Sequence, residues 1–426
     1  MSAVAFRQPD WLTTLRAAGA SQFAETGLPS QRQEAWKYTG LNRLRSLTFE
    51  PTPSPSRSSG RFPLSVGARV DAAHRLTFVD GRYDAAQSDI GALPVGVVLG
   101  SLAEVLTDNP QLLEPHLGRL AAVERRGMVA LNAAWIEDGL VLIVPRGVAL
   151  AGLIEVVFVA TDDSAPVSHP RHIISLGDNA EVALVETHLG GAAGGFANAV
   201  AEVALGQGAN FGHYVAHQES ARSIAVDTVF VEAGRDSSYR GFALTAGGAL
   251  VRREVEAALT APGARAQIDG AYLVDGDRHA DTTILIDHRA PHCASRQTQK
   301  GVIDGDGRAV YQGKILVRPD AQKTDGYQLS QTLLLSPEAE IDVKPELEIH
   351  ADDVKCSHGA TVGRLDADAL FFLRARGIPE RDARALLIQG FIGGALDEIT
   401  HPAVRDAFGE VASNWLARRS GPESTS

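Results

Sequence analysis

A long succession of short β-branched runs, each followed by Gly, Asn or Asp, limits the folds that are open to this chain. The runs begin beyond Gly139 and include VLIV, IEVVFVA, EVALVETH, IAVDTVFVE and TTILID. Turn signals between them recur about every 14 residues, or about twice that, near Gly177, Gly206, Gly234, Gly248, Gly263, Asp277, Gly305 and Pro319. Equal short strands without hairpin dipeptides favour stacked coils that bury their inward side chains on one another. We therefore predict a parallel β-helix over residues 139–362, with an irregular β-sandwich as the alternative.

The sequence before this core predicts three further regions. Apolar residues at helical spacing, among them Leu12 and Phe23, indicate an N-terminal helical region over residues 1–50. A stretch rich in Pro and Ser at 51–63 predicts an exposed linker, because it cannot support regular hydrogen bonding. Residues 64–138 alternate between strand-like and helix-like segments and are expected to form a mixed α/β region.

The sequence after the core returns to helix. Asp366 is a suitable N-cap for a C-terminal helical domain over residues 363–420, followed by a frayed tail at 421–426. In the last helix, large apolar residues including Phe408 and Trp415 fall on one face. This stripe either packs on the chain's own helices or binds a partner. The expected fold class is therefore mainly β, with a right-handed parallel β-helix core flanked by helical N- and C-terminal regions.

Composition and missing motifs exclude several functional classes. The net charge of −12 argues against a nucleic-acid or anionic-membrane binder, because phosphate contacts need clustered cations. The most apolar long stretch, residues 139–161, contains Pro145, Arg146 and Glu155, so no membrane span is expected. The N-terminus lacks a signal-peptide pattern, and two widely spaced cysteines form no disulfide framework, so a cytoplasmic location is expected. No GxxxxGK[ST] motif occurs, so ATP hydrolysis through a P-loop is not expected.

Two polar clusters contain metal-ligating residue types. In the first, HRAPHCASRQTQKG, His292 and Cys293 are adjacent and could supply ligands, although packing in a turn between coils is the alternative. In the second, KCSHGAT, one residue separates Cys356 from His358. An extended backbone would direct both side chains to the same face. Thiolate and imidazole suit iron, zinc or copper, but two ligands form only half of a four-coordinate site, so the others must come from elsewhere.

A long pattern over residues 288–378 includes APHCASRQTQKG, YQLSQTLLLS and KCSHGAT, and RQEAWKYTGL occurs near the N-terminus. These strings resemble the SufB/SufD family of iron-sulfur assembly proteins, and KCSHGAT resembles its SufD branch. The resemblance implies a right-handed parallel β-helix, in agreement with the turn spacing. It also implies that Ser330 stands approximately where the SufB branch has a cluster- or sulfur-accepting cysteine. His358 matches the SufD histidine implicated at the SufB/SufD interface, and Cys356 matches its neighbouring cysteine.

The resemblance also implies partners and cargo. It predicts a non-enzymatic scaffold that pairs with a SufB-like paralogue and with a SufC-like ABC ATPase, which would supply the missing P-loop. The ATPase would bind the C-terminal helices. A nascent iron-sulfur cluster would form transiently and be shared with the paralogue. A homodimer in isolation is compatible with this, because an interface built for a paralogue can pair with its own copy. The sequence does not reveal the iron donor, the cluster type, the carrier or any flavin.

Two other functions fit a parallel β-helix. One is an enzyme acting on polysaccharide, which would use a groove with stacked aromatic side chains and paired carboxylates. The chain has only four Trp and no evident ladder of such carboxylates, which argues against this function. The other is a structural protein that assembles only with itself. Co-purification of partners from the native host distinguishes the assembly role from both.

Overall fold

A computed structural model of the protein describes residues 9–52, 70–124, 126–161 and 165–419. The predicted linker at 51–63 lies outside the described residues from position 53 onward, as does the whole predicted tail at 421–426.

In these described ranges the chain forms six α-helices near its ends and twenty strands. The helices are α1 (Asp10–Thr26), α2 (Leu102–Asp108), α3 (Gly127–Ala134), α4 (Ala367–Arg374), α5 (Glu380–Leu396) and α6 (Pro402–Arg419). The first ten strands are β1 (His74–Val79), β2 (Arg82–Tyr83), β3 (Val98–Ser101), β4 (Leu140–Val144), β5 (Ala149–Val159), β6 (Val167–Ser168), β7 (Arg171–Leu176), β8 (Glu181–Leu189), β9 (Gly195–Leu205) and β10 (Asn210–Gln218). The others are β11 (Ser223–Ala233), β12 (Ser238–Thr245), β13 (Leu250–Leu259), β14 (Arg265–Val274), β15 (His279–His288), β16 (Ala294–Ile303), β17 (Arg308–Val317), β18 (Asp325–Leu334), β19 (Glu340–Ile349) and β20 (Lys355–Gly363).

The strands build a two-sheet parallel β-solenoid of about eight turns. From β7 to β20 the chain alternates between the sheets, so that each coil contributes one strand to each. Sheet 1 has the order β2-β1-β5-β8-β10-β12-β14-β16-β18-β20. Sheet 2 has the order β3-β4-β7-β9-β11-β13-β15-β17-β19, with β6 beside β9. Pairing is parallel except between β1 and β2 and between β3 and β4.

The register confirms the solenoid predicted from the turn spacing and excludes the β-sandwich. Ser238 pairs with Arg265, a coil of 27 residues, and Ala294 pairs with Asp325, a coil of 31 residues. The predicted spacing of about 14 residues therefore corresponds to one strand and its turn, and twice that to one coil. All eight turn residues named above lie between strands. The solenoid also begins earlier than predicted, because β1, within the mixed region 64–138, already pairs in parallel with β5.

Inward side chains of successive coils stack in rows along the solenoid, and residues 266, 268, 270 and 272 of β14 illustrate one layer. Tyr272 reaches across the next coil, and its hydroxyl lies 2.7 Å from the Thr332 hydroxyl oxygen of β18. Gly301 lies between them, and a Cβ there would stand 1.8 Å from the Tyr272 ring. The row therefore requires glycine at this position.

The N-terminal segment after α1 departs from the predicted helix. Residues 34–36 form only a short 3-10 turn, because Trp36 packs into the core beneath the guanidinium of Arg252, 4.0 Å from the ring centroid. The side-chain amide of Gln312 also donates to the carbonyl of Ala35, over 3.0 Å. These tertiary contacts tie the segment to the solenoid and replace helix continuation.

Candidate functional site at the open end of the solenoid

The solenoid ends at an uncovered coil formed by β19 and β20. In the described residues each of these strands pairs along one edge only, β19 with β17 and β20 with β18. The other edge of each strand therefore presents unpaired backbone groups, a template for pairing with another chain. We call this end of the solenoid the open end.

Cys356 and His358 lie on β20, on the face that points toward the solenoid interior. Cys356 is opposite Gly326 of β18, and His358 is opposite Gln328. Gln328 is fully buried and faces inward, so the same row of side chains passes from the core to the open end at His358. The structure thus confirms that the segment is extended and that the two ligand types share a face.

Cys356 is held in a partly apolar environment. Its side chain is half-buried and packs beside a small core cluster that includes Ile315 and Ala351. Its Sγ lies 3.4 Å from the position that a Cβ on Gly326 would take. Burial raises the pKa of the thiol, with a smaller contribution in the same direction from the carboxylate of Asp325. The thiol is therefore protonated near neutral pH and loses its proton only when a metal or an electrophile takes its place.

His358 continues a buried polar row into solvent. Two coils further inside, at Gln297 of the same row, the side-chain oxygen accepts a hydrogen bond from the Tyr311 hydroxyl over 3.0 Å. His358 itself is exposed. Among the described residues its ring nitrogens form no hydrogen bond, so both are available to a ligand from outside.

Apolar side chains surround this polar row at the open end. Ile349 of β19 is 40 % exposed and Val362 of β20 is 50 % exposed, although both belong to inward-facing rows. Val343 and Leu347 of β19 are only partly covered. An uncovered core layer with two free strand edges has the properties of an interface. A matching coil from another chain would bury its apolar side chains and form hydrogen bonds with its free backbone groups.

The first predicted cluster does not form a shared site. Cys293 points into the apolar core, where its thiol donates to the carbonyl of Ala261 over 3.3 Å, and burial raises its pKa. His292 is exposed in a turn with a φ of 60°. The two side chains therefore lie in different environments, which favours the packing alternative for Cys293 over a ligand site shared with His292. Ser330 of β18 is buried in an inward-facing row, opposite Ala360 of β20.

The apolar stripe of the last helix packs within the chain. Phe408 and Trp415 of α6 are fully buried in a cluster that α6 shares with α5 and the outer face of sheet 1. The Phe408 ring centroid is 6.1 Å from that of Phe242 on β12. Their burial favours internal packing, one of the two alternatives that the sequence leaves open for this stripe, over binding of a partner. The exposed apolar side chains of this domain are instead Phe371 and Phe372 of α4 and Leu386 of α5.

Sequence reasoning missed a cluster of titratable side chains inside the solenoid. His188 of β8, His217 of β10 and Glu219 in the following turn place their ligand atoms within 4.8 Å of one another. The available signal was the 29-residue interval between the two histidines, which equals one coil. That interval becomes informative only once the register is known.

Comparisons with known proteins agree with the fold. Residues 158–391 match the family model described as SUF system FeS cluster assembly, SufBD core domain. Residues 2–156 match that of the SufBD protein N-terminal region. No helix in the described parts of the chain is both long and apolar enough to span a membrane.

Individual relatives cover nearly the whole chain. The iron-sulfur cluster assembly SufBD family protein of Synechocystis is 31% identical over 91% of this chain and 87% of its own length. The iron-sulfur cluster assembly protein SufD of Escherichia coli is 31% identical over 87% of this chain and 85% of its own length. Protein ABCI7, chloroplastic, of Arabidopsis thaliana is 28% identical over 93% of this chain and 84% of its own length. The chain therefore belongs to the SufBD family of the SUF system of iron-sulfur cluster assembly.

Proposed function

We propose that this chain is a non-enzymatic, SufD-like scaffold subunit whose open end pairs with a SufB-like paralogue, and that a nascent iron-sulfur cluster forms at that interface. The observation that carries the proposal is the position of Cys356 and His358 side by side on the inward face of β20, which no further coil covers in the described residues. A matching solenoid end would cover this row and continue both sheets.

The ligand count supports a shared cluster. Cys356 and His358 offer one thiolate and one imidazole, whereas iron in such clusters is commonly held by four protein ligands per cluster. The paralogue would supply the remaining ligands. Because the thiol of Cys356 is protonated near neutral pH, iron binding would release its proton, and the resulting thiolate would be stabilised by the metal. The iron-sulfur cluster would be bound only transiently and would then be transferred to a carrier protein.

The C-terminal helical domain supports docking of a SufC-like ABC ATPase. The sequence contains no GxxxxGK[ST] motif, so ATP hydrolysis would come from a separate subunit. Helix α4 has no buried residue, and Phe371 is 72 % exposed while Phe372 is 53 % exposed. Leu386 of α5 is 49 % exposed, and we call these three exposed apolar side chains the α4 patch. We place the ATPase on the α4 patch, since exposed aromatic groups are common interface anchors.

Co-expression tests the proposal. The chain is produced with its genomic SufB-like and SufC-like counterparts, purified through a tag on the chain, and analysed by native mass spectrometry. The expected product contains both partners and carries iron and acid-labile sulfide after anaerobic reconstitution. Purification of the chain only with itself would contradict the proposal and favour a structural homo-oligomer.

A further inference from the structure

A ladder of rings crosses the coils inside the solenoid, near one corner of the lumen. Phe158 of β5 is opposite His188 of β8, which is opposite His217 of β10. The ring centroids of Phe158 and His188 are 4.9 Å apart, and those of His188 and His217 are 4.7 Å apart, both in stacked geometry. Coil register thus fixes the two imidazoles directly above one another.

A carboxylate completes this arrangement. Glu219 lies two residues after His217, and its Oε1 is 2.8 Å from the His217 Nδ1. One ligand atom from each of His188, His217 and Glu219 falls within 4.8 Å of the others. Two imidazoles and one carboxylate around an open position are a recurrent ligand set for iron(II) and related ions.

Several polar atoms of the three side chains lack partners. Nε2 of His188, Nε2 of His217 and Oε2 of Glu219 are all buried and form no hydrogen bond. Buried polar atoms are rarely left unpaired, because each one loses its hydrogen bonds to water without replacement. Three such atoms in one cluster indicate a group that the chain is built to receive.

The surroundings have both the space and the charge for a cation. A cavity of about 60 Å³ adjoins the cluster and is lined by His188 and Glu219 among other residues, which is room for an ion with a water molecule. Carboxylate oxygens of Glu186 and Asp227 lie 3.5 Å from the His188 Nε2 and 3.8 Å from the His217 Nε2. These two carboxylates place negative charge beside the same nitrogens, which favours a cation in the cluster.

We infer that His188, His217 and Glu219 form a binding site for one divalent transition-metal ion inside the solenoid lumen, separate from the open end. The imidazole ligands select ions such as Zn²⁺, Fe²⁺ or Co²⁺ over Mg²⁺ and Ca²⁺, which prefer oxygen ligands. Any proton on His217 leaves when the ion binds. This site extends the proposed function and does not depend on it, because it uses none of the residues at the open end.

Cobalt(II) alone is the probe, because its visible absorption reports coordination directly. The full chain, free of any affinity tag, carries Cys356→Ser and His358→Ala so that the open end cannot bind the ion. We expect saturable binding of one Co²⁺ with a d–d spectrum that shows nitrogen and oxygen ligands and no sulfur-to-metal band. Zn²⁺ displaces the cobalt, and excess Mg²⁺ does not.

Single substitutions then assign the ligands. In the same background, His188→Gln, His217→Gln and Glu219→Gln each weaken Co²⁺ binding by roughly 10- to 100-fold or more. His172→Gln, which also removes a buried imidazole from the lumen, leaves it unchanged. Circular dichroism verifies that each variant is folded. If the chain with only Cys356→Ser and His358→Ala shows no saturable Co²⁺ binding, the inference is wrong, whether or not the further variants fold. Equal Co²⁺ binding by all four further variants would also overturn it.

Discussion

His358 of β20 lies opposite Gln328 of β18 in the parallel register, yet Gln328 is fully buried and His358 is exposed. Both side chains occupy the same inward-facing row. They differ in exposure because β20 covers Gln328, whereas nothing in the described chain covers His358. The open end therefore presents the chemistry of a solenoid interior to whatever binds it.

Pairing at the open end is tested at the free edge of β20. The backbone N–H of Lys355 donates to the carbonyl of Thr324, directly before β18, so Lys355 faces that strand. In a parallel ladder the N–H of Ala360, at opposite parity, therefore points to the free edge. Ala360→Pro removes that donor without breaking a bond inside the sheet. We expect the variant to fold, to retain the ATPase and to lose the SufB-like paralogue in co-purification.

Ala360→Ser is the matched control, because it keeps the backbone N–H and changes the side chain only slightly. It should bind the paralogue normally. Retention of the paralogue by the folded Ala360→Pro chain would show that the partner does not pair with this edge.

The two apolar surfaces of the C-terminal domain predict opposite phenotypes. Phe371→Asp changes an exposed side chain of the α4 patch, so the free energy of unfolding should stay nearly constant while the ATPase is lost from the purified complex. Phe408→Asp places a charge in the buried layer between α6 and sheet 1, and should destabilise the fold by roughly 3–5 kcal/mol. Urea unfolding and co-purification measure the two effects separately. A Phe371→Asp chain that still binds the ATPase would exclude the α4 patch as its docking site.

Asp269 predicts a pH dependence of stability beneath the C-terminal helices. Burial, with a smaller contribution from the charge of Glu398, raises the pKa of this carboxyl to about 7, despite hydrogen bonds from the Gln267 side chain and the Thr298 N–H. The folded state therefore holds a proton that the unfolded chain, with a pKa near 3.8, has released. Stability is highest below about pH 4 with respect to this group, and declines as the pH rises through about 7.

Asp269→Asn removes this titration while keeping an acceptor for the Thr298 N–H. The difference in unfolding free energy between pH 5 and pH 8 should be smaller in the variant than in the unmodified chain. Equal pH dependence in the two proteins would show that Asp269 ionises normally in the fold.

The solenoid was predictable because its signals are local. Turn residues such as Gly206 and Gly234 punctuate strands of equal length, and the alternation of Cys356 and His358 follows from an extended backbone alone. The stripe that contains Phe408 predicts burial, but the sequence does not say which surface covers it. Trp36 lies in the region 1–50 that the sequence predicts to be helical, but it forms part of a 3-10 turn, because a contact with Arg252, distant in sequence, outweighs local helix propensity.

The cluster of His188, His217 and Glu219 could not be predicted, because it also depends on contacts between residues distant in sequence. His188 and His217 are separated by one coil, and Asp227 reaches the same region from the opposite sheet. Coil lengths vary from 27 to 31 residues in the examples above, so sequence intervals alone do not align such side chains. Only the register brings them together.

A single substitution tests whether His358 acts on the cluster at the open end. His358→Ala is compared with His350→Ala, which removes a second exposed imidazole only eight positions away, at the turn between β19 and β20. Iron and acid-labile sulfide are measured in the purified complex, together with growth of a strain that depends on this pathway. We expect His358→Ala to lose cluster assembly with the complex intact, Cys356→Ser to show a milder defect, and His350→Ala to behave as the unmodified chain. Normal cluster content and growth with His358→Ala, or loss of the complex itself, would contradict the claim.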